Sequence, residues 1–144
     1  LHGLLQAGEV DMTLFFRGLA DLDPAAPSLD VVADGFYDAA KRARVQGEFD
    51  AWLGDYAARL QEADESVDVR RARMHAVNPR FVMRNYLAQQ AIERAEAGDP
   101  SGIVELLDVM RRPYDAQPGR EAFAGKRPDW ARTKAGCSML SCSS

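Results

Sequence analysis

The sequence predicts an all-α fold: an irregular bundle of about five to six helices with an extended, largely irregular C-terminal tail. Two observations predict it. Apolar residues recur at i, i+3, i+4 and i+7, and Pro, Gly and capping residues divide the chain into segments of helical length. No alternating run long enough for a strand occurs, and no repeat has solenoid spacing.

Leu1, Leu4 and Leu5 read as the end of an apolar helix stripe, and with no methionine at the start the chain reads as part of something longer. Met12, Phe15, Phe16 and Leu19 form the next stripe, with Asp11 as its cap, and Asp23 to Pro27 break the chain. Ser28 is expected to cap a helix whose Leu29, Val32, Ala33, Phe36, Tyr37 and Ala40 share one face, with Gly47 as a boundary. Phe49, Trp52, Leu53, Tyr56, Leu60 and Ala63 give the strongest amphipathic pattern in the chain. A shorter helix after Ser66 carries Arg70, Arg71 and Arg73.

Asn78 and Pro79 then predict the start of a long helix to about Ala97, stopped by Gly98. Asp99 and Pro100 repeat that start for a helix with Ile103, Leu106, Leu107 and Met110 as its stripe. Arg111 and Arg112 complement its negative end, and Pro113 ends it. Pro118, Gly119, Gly125, Pro128 and Gly136 break up the rest, which either drapes over a surface, with Trp130 as the expected anchor, or moves freely. The expected organisation is a helical domain over 1–112 and a tail over 113–144.

With 144 residues, 47% of them hydrophobic, the chain can bury one domain-sized core. No apolar run approaches the ~20 residues of a membrane span, so a membrane partner is not expected. The net charge of −4 hides an asymmetry: residues 1–68 carry 14 acids against 5 bases, and residues 69–144 carry 8 against 13. The arginines of the basic half lack the interleaved aromatics that nucleic-acid binding uses, which points instead to an intramolecular or protein-facing surface. Two cysteines, Cys137 and Cys142, make no disulfide framework of the secreted type.

Catalytic chemistry has little to stand on. His2 and His75 sit in no nucleophile or metal-binding pattern, and the two tail cysteines fall short of the ligands zinc takes. No phosphate-binding glycine loop occurs, and Asp34-Gly35-Phe36 has the wrong order for a kinase metal motif and lies within an expected helix. No catalytic, cofactor or metal residue is therefore expected in this chain. Two features are less ordinary. On the predicted helix from Pro79, Arg84 falls within the apolar arc of Met83, Leu87, Ala88, Ala91, Ile92 and Ala95, so Arg84 and Asn85 are candidates for a junction with another domain. Cys142 lies near basic residues in a Ser-rich terminus, a setting that favours a reactive thiolate where those charges approach it.

Three stretches carry a family resemblance. They are Gly125-Lys126-Arg127-Pro128-Asp129-Trp130 with Ala135-Gly136-Cys137 through Ser144; Asn78 through Ile92; and Leu106 through Gln117 around Arg111-Arg112-Pro113-Tyr114-Asp115. Thr13 through Arg17 is a weaker echo. Together they resemble the C-terminal end of the selenoprotein O (YdiU-like) family, firmly from Asn78 onward and more loosely before it. The resemblance implies a longer protein with a kinase-like fold that uses ATP and Mg2+ (or Mn2+) to transfer AMP to Ser, Thr or Tyr hydroxyls of protein substrates. It implies that the catalytic residues lie in a kinase-like domain preceding this segment. It also implies that Cys142 stands where many animal members carry selenocysteine and pairs with a cysteine of that domain, Cys137 being the second redox candidate. A cysteine at 142 fits a bacterial, cytoplasmic member.

The alternative is a stand-alone helical protein-interaction domain with a flexible cysteine-containing tail. A further alternative, thiol or zinc handling by the tail alone, would need no partner domain.

Overall fold

The computed structural model describes residues 1–63 and 65–137. The described residues are helical, with a single isolated antiparallel bridge between Val10 and Phe36, so the all-α expectation holds. The chain divides into two compact units, Leu1–Pro79 and Arg80–Ser144, the second described as far as Cys137.

In the first unit, α1 (His2–Ala7) and α2 (Met12–Gly18) are joined by a tight turn. Asp11 caps α2 as expected: its Oδ1 accepts from the Leu14 amide at 3.1 Å, while Tyr37 donates its hydroxyl to Oδ2 at 2.9 Å. Ser28 also caps, accepting from the Asp30 amide at 3.1 Å, but the backbone beyond it departs from the expected helix through Ala40. Leu29–Gly35 is a 3₁₀ segment kinked at Val32, and Phe36 is extended. Around the Val10–Phe36 bridge the Asp11 amide donates to the Gly35 carbonyl at 2.8 Å and the Tyr37 amide to the Glu9 carbonyl at 3.4 Å, so long-range partners claim two backbone groups an α-helix would have used. Asp34-Gly35-Phe36 therefore lies at the end of a 3₁₀ turn, not inside an amphipathic helix.

The long helix α3 (Ala39–Ala63) runs through Gly47, which corrects the boundary expected there. An exposed glycine costs a helix about 1 kcal/mol relative to alanine. Burial of Val45 and Phe49 on either side outweighs that cost. The buried residues Val45, Phe49, Leu53, Ala57 and Leu60 form one stripe along α3. Against it pack Phe15, Phe36, Leu19, Leu29 and Val32, with Trp52 stacked on Tyr56 at the edge (5.3 Å between centroids, 9° between planes). The last helix of the unit, α4 (Val67–Val77), starts at the Ser66 cap. Arg70, 1% exposed, reaches from it into the unit: Nε donates to the Ala20 carbonyl at 3.2 Å and Nη2 to that of Leu22. Its guanidinium thus satisfies two carbonyls where the chain leaves the 3₁₀ turn Leu19–Asp21.

The second unit corrects the helix expected from Pro79. Asn78 caps no helix after it; it finishes α4, with its side-chain amide and backbone N–H both donating to the Met74 carbonyl. The next residues run without helix, and the Arg80 and Phe81 amides both donate to the Pro113 carbonyl, at 2.7 and 3.0 Å. Helix α5 is confined to Asn85–Glu96, with Gly98 at φ +92° just beyond it. Asp99 starts α6 (Ser101–Met110) by accepting from the Ser101 amide at 3.0 Å. The buried face of α6 is Gly102, Leu106 and Val109, whereas Ile103 and Leu107 of the expected stripe point outward. Gln117 is buried and donates to the carbonyls of Val109 (3.0 Å) and Arg112 (2.8 Å), so residues after Pro113 finish the end of α6.

Candidate functional site

Of the sequence-derived candidates, Arg84 and Asn85 lie at the start of α5 and Cys137 on the strap of chain beyond α6. Arg84 is the half-buried, extended residue preceding α5, with φ −93° and ψ 140°, and its carbonyl accepts from the Leu87 and Ala88 amides. This corrects its placement within a helical arc: the Arg80 and Phe81 amides bond the Pro113 carbonyl instead of an intrahelical partner, and the chain stays non-helical up to that point. Asn85 is the first residue of α5 and is likewise half-buried.

The strap crosses α5 through two short 3₁₀ turns, Glu121–Ala124 and Asp129–Arg132. Ala131 is fully buried and, with Cys137, joins Tyr86, Leu87, Ala91 and Leu106 in one apolar cluster. Trp130, the anchor expected from sequence, instead stays 45% exposed with its ring edge-on to Tyr86 at 6.0 Å. The residue beside it, Ala131, is the buried one.

Beyond Ala131 the strap is held by charge and by close approach. Lys134 Nζ lies 2.6 Å from Glu93 Oε1 and 5.4 Å from the Trp130 ring centroid. Hydrogen bonds from Lys134 and then Gln89 hold the Glu93 carboxyl below its ordinary pKa. Gly136 has φ +80°, a backbone conformation that favours glycine, and a Cβ there would come within 2.1 Å of Gln89 Oε1, so any side chain would have to displace that glutamine's flexible end. Cys137 is the next residue, a buried free thiol whose amide donates to the Lys134 carbonyl at 3.1 Å. Burial among apolar groups suits packing better than attack on a disulfide, which needs access and a stabilised thiolate. Cys142 lies outside the described residues.

Among the described residues, no group of three or more His, Cys, Asp or Glu side chains could hold a metal ion. His75 is a packing residue, with Nε2 3.2 Å from the Arg17 carbonyl. Lys41 is paired with Glu9 at 2.5 Å and Lys134 with Glu93. The residues that sequence reasoning missed are Arg70, Gln117 and Gly136. Arg70 stands four before the buried Met74 on α4, a spacing that signals a shared inner face, but nothing near Gln117 announces its partners.

Comparison with known proteins supplies the remaining observations. The family described as "Protein adenylyltransferase SelO" matches residues 1–111, which extends the likeness through the N-terminal half where the sequence motifs were weak. Across all 144 residues the chain is 61% identical to the protein nucleotidyltransferase YdiU of Aromatoleum aromaticum and 61% identical to that of Xanthomonas euvesicatoria. The YdiU protein of Azoarcus sp. strain BH72 is 60% identical over the same span. In each case the chain spans 28% of the length of the relative it matches.

Proposed function

The chain belongs to the protein adenylyltransferase SelO family, and from that premise we propose that it forms the C-terminal, structural and redox-regulatory part of an AMP-transferring enzyme. In the full-length protein a pseudokinase-fold domain takes ATP with Mg2+ or Mn2+ and passes AMP to Ser, Thr or Tyr hydroxyls of protein substrates. The hydroxyl attacks the α-phosphorus and pyrophosphate leaves. In this reading no step of that transfer falls to the described residues, among which no group of three or more His, Cys, Asp or Glu side chains could hold a metal ion. Their part is to pack against the kinase-like domain, with Arg84 and Asn85 near the junction, and to carry the tail of residues 113–144.

Within that tail the strap over α5 fixes where the last residues set out, and Cys142 is the thiol that responds to oxidation by pairing with a cysteine elsewhere in the full-length protein. Cys137, buried under the strap, is the weaker redox candidate. The expected compartment is a bacterial cytoplasm; among the described residues no helix is long and apolar enough to cross a membrane.

The observation that carries this reading is 61% identity over the whole chain to nucleotidyltransferases of which it spans 28%. It is tested by incubating the full-length protein with ATP labelled at the α-phosphate. Label is expected to enter protein hydroxyls, and transfer of γ-label instead would mark a kinase and defeat the proposal. Cys142→Ser is expected to make transfer insensitive to oxidant, whereas Cys137→Ser leaves the response in place. The 144-residue chain alone is expected to show no ATP binding by calorimetry, and micromolar affinity would place a nucleotide site within it.

A further inference from the structure

The outward turn of α6 leaves an apolar groove between α5 and α6 with a volume of about 300 Å3. Met83, Ile92, Ile103 and Leu107 form its walls, Ala88 and Leu106 lie between them, and every residue that lines it is apolar. The wall residues are 43% to 57% exposed, and Val104 on α6 is more exposed still. Scattered exposed aliphatic residues are ordinary on a protein surface, but a contiguous set around a concave, charge-free floor marks a docking face. Two packed helices offer a channel into which the ridge of a third can settle.

We infer that this groove seats the apolar face of a helix from the part of the full-length polypeptide outside residues 1–144. This rests on the proposal that the chain belongs to a longer protein, and it names the surface through which the segment docks. Two observations favour that occupant over a second copy of the chain. The matched span is 28% of each relative, so most of their length lies outside it and leaves ample chain to supply the element. The groove also contains no charged or hydrogen-bonding side chain to fix the register of a solution partner, so it suits an element tethered in place by its own polypeptide.

The test is hydroxyl-radical footprinting of the full-length protein by mass spectrometry, at roughly 0.1 and 10 µM so that mass action exposes any intermolecular cover. Modification of Met83 and Leu107 is compared with the urea-unfolded protein. The docked groove predicts that both are modified about tenfold more slowly than in the unfolded chain, at both concentrations. Less than about fivefold protection overturns the inference, because half-exposed side chains should react nearly as fast as unfolded ones. Protection that disappears on dilution also overturns it, by identifying a second copy as the occupant. AMP transfer is measured on the same preparation. Protection without transfer leaves the docking inference standing and removes the activity proposal, whereas transfer without protection does the reverse.

Discussion

The two units solve the problem of a hydrophobic core differently. Leu1–Pro79 encloses its large side chains: Phe15, Phe49, Leu22, Leu29, Leu53 and Val32 are essentially inaccessible, and the charged groups driven inside, Asp11 and Arg70, have hydrogen-bond partners. The unit beginning at Arg80 buries a smaller cluster built around Leu87, Ala91, Leu106 and Ala131, and leaves Met83, Ile92, Ile103 and Leu107 outside. The first unit is stabilised by what it encloses. The second is held by a strap and presents an apolar face, the kind of surface the proposed docking of further protein would cover.

The sharpest way to break that contrast is to empty the first core. Phe49→Ala removes a ring in contact with both Phe15 and Phe36 and should cost about 3–5 kcal/mol by urea denaturation. A loss under about 1 kcal/mol would mean that the enclosed core does not carry the unit's stability. Arg70→Leu should come next, at about 3 kcal/mol, because it leaves the Ala20 and Leu22 carbonyls buried without donors. Arg70→Lys should recover only part of that loss, since an ammonium does not reproduce the planar fork.

Gly136→Ala probes the strap of the second unit. A methyl group there displaces the Gln89 side chain and sits on a left-handed backbone, which should cost about 1–2 kcal/mol and speed amide exchange in residues 128–137 ahead of the rest of the chain. Uniform loss across both units would show that the strap is not a local device. The smallest effect concerns the start of α6. Hydrogen bonds from Ser101 and Arg94 lower the Asp99 pKa from 3.8 to about 2. A carboxyl depressed on folding contributes stability above its unfolded pKa and loses it as pH falls through the folded value, so this contribution should fade between about pH 4 and 2. An NMR titration of the Asp99 carboxyl with a midpoint near 4 would remove that role.

What the sequence determined by itself was local. Asp11, Ser28 and Ser66 cap because their side chains reach backbone amides two or three residues away, and Gly98 stops α5 because glycine tolerates a positive φ; neither needs anything distant. The stripe on α3 was legible in part: Phe49, Leu53 and Leu60 are buried as expected, but Trp52 and Tyr56 lie at its edge, Ala63 is exposed, and Val45 and Ala57 complete the inner face instead. Tertiary structure decided everything set by a partner far along the chain. The Val10–Phe36 bridge, with the Asp11 amide on the Gly35 carbonyl, turns an expected helix into a 3₁₀ segment, and Arg80 and Phe81 donate to the Pro113 carbonyl outside any helix, so Arg84 stands before α5 instead of within its face. The rotation of α6 belongs with these: its period was visible, but its inward side depended on Ala91 and on Gln117 folding back onto its end. A helical pattern fixes the angle between apolar residues but not the direction in which the core lies, because that direction exists only once the other elements have packed.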